Sequence, residues 1–497
     1  MYCALSIKPS EGSRFCSRAD ASFIRTHAEL EKIAALEPFK NSQVRVEDLN
    51  IILLAHNLDE SSKAKLRAAG LGHTGCSEKV LALTSRKRAE FQRMGKTCAF
   101  VSTHTSVPLE GMPVLGAERF QIHVADSVLE DLAFRLGSAR WPDELAHAAW
   151  EFGTNLSYMQ SLVDYWRKGY DWRAQEAALN QVPQFRIRID GTEIHFVHVR
   201  AKARSALPLI ITHGWPGSFV EMMKLIPMLT DPERFAGNVE DAFDVVVPSL
   251  PGYGFSSRPT ERGMKPKKIA ALWAQLMQEL GYQRFGAQGG DWGSVVSIFL
   301  GLDHPDRIIG IHLNYIAGRF LLGGSLNAKP EDEVARLYLE QLRTWWDAEG
   351  GYSHEQGTKP QTLSYGLNDS PVGLAAWIVE KFRTWSDCGG DVEKVFSRDE
   401  LLTNVMIYWV TETIHSSCRL YYESRIQPLS LSPTNRVKPP VAVALFPKEI
   451  AMPPRSLAER GLNIVRWTPM ERGGHFAAME QPIALAEDLC KFFRQLR

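Results

Sequence analysis

The chain has 497 residues, 44% of them hydrophobic and 23% charged, and its 57 basic and 57 acidic side chains cancel. This is the composition of a globular protein with room for more than one domain. It leaves no broad positive field to hold nucleic acid or an anionic membrane.

Seven cysteines, an odd number without a C-x-x-C pair, argue against a disulfide framework or a zinc site and for reduced thiols in the cytosol. No run approaches the roughly 18 consecutive apolar residues of a membrane span. Met1 to Phe15 lacks the apolar core of a signal peptide. A soluble cytoplasmic protein without a transmembrane anchor is expected, with peripheral membrane association and a homodimer left open.

Residues 1–115 carry no chemical motif and stay unassigned. Their spacing predicts helices over Thr26–Leu36 and Glu60–Ala69, the second ended by Gly70, and Ser85–Arg88 reads as a solvated basic face. The next segment, 116–206, opens with Ser127 and Glu130 as a capping box and with Leu129, Leu132 and Leu136 at helical spacing. Arg140-Trp141-Pro142-Asp143 ends that helix. Phe185–Ile189 and Glu193–Val199 alternate around Asp190-Gly191, which predicts a hairpin.

From 207 to 318 the apolar runs shorten and each is followed by a helix, as buried parallel strands require. They are Leu207–Thr212, Phe243–Pro248, Phe285–Gln288 and Ile308–Leu313, with a helix through Val295–Leu300. The stretch 319–432 breaks the rhythm with helix formers and aromatics, among them Trp345, Trp346, Trp377, Trp385, Trp409, Tyr421 and Tyr422. It reads as a helical cap inserted between two strands. Strands over Val441–Phe446 and Asn463–Trp467 and a helix from about Ile483 to Leu496 complete the sheet within 433–497. The expected class is α/β, with helices on both faces of the sheet.

Gly289-Gly290-Asp291-Trp292-Gly293 follows the third of these strands. The pattern G-x-S-x-G marks a sharp strand-to-helix turn that lifts a nucleophile above a parallel sheet. Here aspartate replaces serine. A carboxylate attacks a saturated electrophilic carbon and becomes an ester whose carbonyl belongs to the enzyme, so epoxides or alkyl halides are expected rather than esters.

His213-Gly214-Trp215-Pro216-Gly217 lies where an α/β hydrolase places half of an oxyanion hole. The amides of Trp215 and Trp292 are the natural donors, and Trp215-Pro216 is a candidate cis peptide. Pro251–Ser256 is a bordering turn without a catalytic role. Gly473-Gly474-His475-Phe476, before the final helix, offers His475 as the base in the chain order nucleophile, acid, histidine. Glu449, after the Val441–Phe446 strand, is the candidate acid. Glu471 is its rival, and the other acid position of the fold offers only Asn314. An opened epoxide needs a proton donor, a task suited to tyrosine. Tyr352 and Tyr421 stand in recognisable surroundings, Gly350–Pro360 and Cys418–Glu423.

With these residues in place the chain resembles the epoxide hydrolases of the microsomal and juvenile-hormone type, from about residue 118 to its end. The resemblance is carried by Arg140–Glu144, His213–Gly217, Gly289–Gly293, Leu367–Trp377 and Arg472–Ala478. It implies an α/β-hydrolase fold with a mostly parallel central sheet, an inserted helical cap and an N-terminal wrapping segment. It implies Asp291 as nucleophile, Glu449 as acid, His475 as base, and Tyr352 with Tyr421 as the pair that polarises the epoxide. Tyr422 adjoins Tyr421 and is the one-residue alternative. The expected partners are a small apolar epoxide and water, without metal or organic cofactor. Residues 1–115 have no counterpart in the resemblance, and the membrane helix of microsomal members is not carried over. The rival readings are a haloalkane dehalogenase and a catalytically silent small-molecule receptor.

Overall fold

The computed structural model describes residues 2–5, 98–101 and 116–497, except 204, 319–320, 322–328 and 427–428. The chain divides into two compact units, Met1–Met112 and Pro113–Arg497. In the first, β1 (Tyr2–Leu5) pairs antiparallel with β2 (Cys98–Val101). The helices expected at 26–36 and 60–69 and the basic stretch 85–88 lie outside the described residues.

The second unit is built on a nine-stranded sheet. In chain order its strands are β3 (Ala117–Phe120), β4 (Gln184–Ile189), β5 (Thr192–Val199), β6 (Leu207–Thr212), β7 (Phe243–Pro248), β8 (Phe285–Gly289), β9 (Ile308–Leu313), β10 (Val441–Leu445) and β11 (Ile464–Pro469). Their spatial order is β11-β10-β9-β8-β6-β7-β5-β4-β3. β6 to β11 run parallel, while β3, β4 and β5 extend one side as an antiparallel meander. β6 to β10 are buried almost throughout, which explains why they read as unbroken apolar runs, while the edge strand β11 is only partly buried. β6 lies between β7 and β8, so the chain reverses its winding there. The carboxyl ends of β6 and β8 therefore open a crevice between diverging loops.

The β4–β5 hairpin turns at Asp190 and Gly191, both at positive φ (48° and 74°), the backbone that an Asp-Gly pair tolerates. β3 was not apparent in the sequence. It is a short edge strand whose burial does not alternate cleanly. The first helix of this unit corrects the expected capping box. It spans Asp126–Gly137 with Ala125 at the N-cap and no capping side chain, so Ser127 and Glu130 both lie inside the helix, past the capping position. The incoming chain is anchored elsewhere. Val124 donates its N–H to Glu176 at 2.7 Å, Arg173 donates to the Val124 carbonyl at 2.7 Å, and Arg173 pairs with Asp126.

Between β9 and β10 the described residues form six α-helices: Glu333–Glu349, Gly351–Thr358, Pro360–Asp369, Pro371–Trp385, Arg398–Thr411 and Ile414–Ile426. Among the described residues no helix is long and apolar enough to cross a membrane, and no cluster of three His, Cys, Asp or Glu is placed to hold a metal ion.

Candidate active site

Asp291 stands at the turn between β8 and the Asp291–Asp303 helix with φ +44°, a left-handed conformation uncommon for a residue with a side chain. The turn is held by close backbone approach. A Cβ on Gly293 would lie 1.9 Å from the carbonyl oxygen of Thr212 on β6, so only glycine fits. The carboxylate thus sits at a helix N-terminus, where the peptide dipoles favour negative charge. Its Oδ1 accepts the backbone N–H of Trp215 at 2.8 Å. The Trp292 amide belongs to the same first helical turn, whose N–H groups have no acceptor within the helix.

His475 faces Asp291 across the crevice, with Nε2 3.6 Å from Oδ2. Its Nδ1 lies 2.6 Å from Oε1 of Glu449, a carboxylate with no exposed surface. An ionised carboxylate only accepts, so the proton of that bond rides on Nδ1 and Nε2 is left for chemistry. Burial alone would depress the imidazole pKa. The flanking carboxylates Glu449 and Asp291 outweigh it and hold His475 well above its usual value. Of the rival acids, Glu471 is exposed, while Asn314 is buried beside Gly290 and accepts from Gln288 at 2.8 Å.

The two predicted tyrosines come together although 69 positions separate them. Tyr352, on the Gly351–Thr358 helix, stacks on Trp215 with ring centroids 5.2 Å apart and planes 8° apart. Tyr421, on the Ile414–Ile426 helix, meets Tyr352 edge to face at 5.8 Å and Trp292 at 4.9 Å. Both line one cavity with Asp291, Trp292, Trp345 and Trp346. Tyr422 points instead into a surface groove with Pro259, Lys359 and Arg419. Burial holds the Tyr421 hydroxyl well above its usual pKa, so it keeps its proton.

Two family models and several relatives match the chain. Residues 117–222 match the model of the epoxide hydrolase N terminus, and residues 207–360 that of the alpha/beta hydrolase fold. A Stigmatella aurantiaca protein provisionally named an epoxide hydrolase is 45% identical over 383 residues, 77% of this chain and 86% of that protein. Epoxide hydrolase 1 of Oryctolagus cuniculus is 38% identical over 398 residues, 75% of this chain and 88% of its own. The chain belongs to the epoxide hydrolase family. Among solved structures, juvenile hormone epoxide hydrolase from the silkworm Bombyx mori superposes with a TM-score of 0.68 at 32% identity, covering 77% of this chain and 95% of that one.

Several residues that shape the site of this epoxide hydrolase were not legible beforehand. The Trp215-Pro216 peptide is cis, as its sequence suggested. The loop around it is gripped by one helix of the insertion. Asn404 donates to the Pro216 carbonyl at 2.8 Å and Tyr408 to the Gly217 carbonyl at 2.6 Å, while Ser218 donates back to Asn404 at 2.8 Å. His213 ties the loop to its other neighbour, accepting the Leu250 N–H at Nε2 (3.2 Å). Burial lowers its pKa to about 4, so it stays neutral. The His475 loop is held by Glu480, whose carboxylate accepts the N–H groups of Asp387, Gly474 and Phe476 at 2.8–3.0 Å. The only sequence signal for Asn404 and Tyr408 is their i, i+4 spacing on one helix face.

Proposed function

We propose that this epoxide hydrolase converts an apolar epoxide to a vicinal diol through a covalent ester on Asp291. Tyr352 and Tyr421 donate hydrogen bonds to the epoxide oxygen while Oδ2 of Asp291 attacks a ring carbon. The C–O bond of the ring breaks, and the departing oxygen takes a proton from a tyrosine. This step needs no base, because the carboxylate is already charged.

In the second step water attacks Cγ of the ester and gives its proton to Nε2 of His475, which Glu449 orients. The electron pair of the carbonyl moves to Oδ1, held by the Trp215 and Trp292 amides. Collapse expels the diol oxygen, which takes the proton from His475, and the carboxylic acid left on Asp291 returns its own proton to the imidazole. Esterification also removes the negative charge of Asp291 from beside the imidazole. One cause of its raised pKa is thereby lost, so His475 yields its resting proton, which restores the tyrosine, and is the free base when water must be activated.

The observation that carries the reading is the buried file Glu449–His475–Asp291, ending on an amide-held carboxylate oxygen beneath two phenols. The cap is the 319–432 insertion, and its aromatics suit an apolar epoxide. The phenols favour the epoxide over a haloalkane, since a halide leaves without a proton. A silent receptor would have no use for a complete nucleophile, base and acid.

The test is diol formation from styrene oxide in ¹⁸O-labelled water. Wild type should form diol and Asp291→Ala none. His475→Ala should gain the mass of one substrate molecule on Asp291 and stop there. A folded His475→Ala protein that binds epoxide and never gains that mass sinks the order of steps.

A further inference from the structure

Asp291 separates two chambers. On one side lies the aromatic cavity of Tyr352 and Tyr421. On the other is a small chamber lined by Thr212, Gly214, Gly217, Glu221, Asp291 and His475, and Asp291 lines both. The free volume of the second chamber open to a water centre is about 20 Å³, room for about one molecule. His475 faces this second side. The group that must deprotonate water and the space that can hold water are therefore together, behind the carboxylate rather than on the epoxide side.

Glu221 is the unexplained member of this chamber. It is a buried carboxyl group on the short helical turn Phe219–Met223 that follows the Trp215 loop. Burying it costs free energy that an apolar residue would not. The loop is shaped to admit it. A Cβ on Gly217 would fall 1.6 Å from Oε1 of Glu221, as a Cβ on Gly214 would fall 2.2 Å from Oδ1 of Asp291. The two glycines that flank Trp215-Pro216 each clear room for one carboxyl group, and both groups face the same chamber.

We propose that this chamber holds the hydrolytic water and that Glu221 positions it, accepting one O–H while His475 accepts the other. This inference rests on the two-step reading above. With both hydrogens engaged, the oxygen lone pair is aimed at Cγ of the Asp291 ester. One proton passes to His475, the new C–O bond forms at Cγ, and Glu221 gains and loses nothing. Burial, and less strongly the charge of Asp291, push the Glu221 carboxyl up to about 8, opposed by His475 and the Ser218 amide. Its carbonyl oxygen accepts in either protonation state.

Single-turnover kinetics of the full chain with styrene oxide, read by protein mass, separate ester formation from ester hydrolysis. Glu221→Ala should slow hydrolysis by about 3- to 10-fold, the loss of one hydrogen bond. Ester formation should stay near its wild-type rate. Ester then accumulates, and kcat and KM fall together. Glu221→Gln keeps a carbonyl acceptor and should recover most of the rate. If the alanine protein does not fold, Glu221→Met fills the volume without an acceptor and is read the same way. Wild-type hydrolysis in the alanine or methionine protein overturns the proposal. So does an equal fall in both steps, which would mark a merely structural role. His475→Ala is the control for the parent reading. If it gains no substrate mass, the covalent mechanism fails and takes this proposal with it. If it does gain that mass, a negative result concerns Glu221 alone.

Discussion

At the residue scale the site is a balance of carboxylates around one imidazole. Glu449 and Asp291 hold His475 protonated in the resting state, and a protonated imidazole cannot accept a proton from water. The hydrolytic step should therefore rise with pH, through the His475 pKa of the ester intermediate, and then level. In the proposed mechanism ester formation uses tyrosine hydroxyls, and burial holds the Tyr421 hydroxyl well above its usual pKa. That step should stay flat over the same range, which rapid-quench rates at a series of pH values would check. Tyr421→Phe should slow ester formation by about 100-fold, the scale of a lost general acid, whereas Tyr422→Phe should leave it unchanged.

At the element scale the loops that carry these residues are held by neighbours remote in sequence. Asn404 and Tyr408 fix the carbonyls of Pro216 and Gly217. Asn404→Ala should lower the melting temperature and cost about 2–3 kcal/mol, since two buried hydrogen bonds are lost and the Pro216 carbonyl and Ser218 hydroxyl are left unsatisfied. A thermal melt beside an assay of ester formation would show both effects. The closing helix Pro482–Phe493 is fastened by Asp488, which takes Arg466 and Thr468 on β11 and His312 on β9. Burial pushes the Asp488 pKa up, but the bonds from His312, Arg466 and Thr468 outweigh it and bring it from 3.8 to about 2. A folded pKa depressed below the unfolded one stabilises the fold at higher pH. The contribution is complete above about pH 4 and is lost as pH falls toward 2. It is worth about 2 kcal/mol, and Asp488→Asn should remove it, as denaturant melts at pH 3 and pH 7 would register.

At the scale of the molecule the crevice at the carboxyl ends of β6 and β8 brings the Trp215 loop against the Asp291 turn. All the candidate site residues lie within Pro113–Arg497, a compact unit with its own sheet and core. A chain begun at Pro113 should therefore fold and turn over epoxide within about twofold of the full chain. Loss of folding in the shortened chain would give residues 1–112 a structural part.

The sequence alone determined what is local. Parallel strands are buried on both faces and so read as short apolar runs, and the glycines at 289–293 and 473–474 mark turns whose backbone tolerates little else. Asp291 and His475 were read from those turns, and Glu449 from its place after the Val441–Phe446 strand. The resemblance already named Tyr352 with Tyr421, but the placement of Tyr422 in a different groove, the grip of Asn404 and Tyr408, the three amides on Glu480 and the second chamber at Glu221 came only from tertiary structure. Each joins residues far apart in the chain through space, where no periodicity records the contact. The capping box failed for the same reason: Arg173 and Glu176 hold the backbone of Val124, just before that helix, from 49 and 52 residues away.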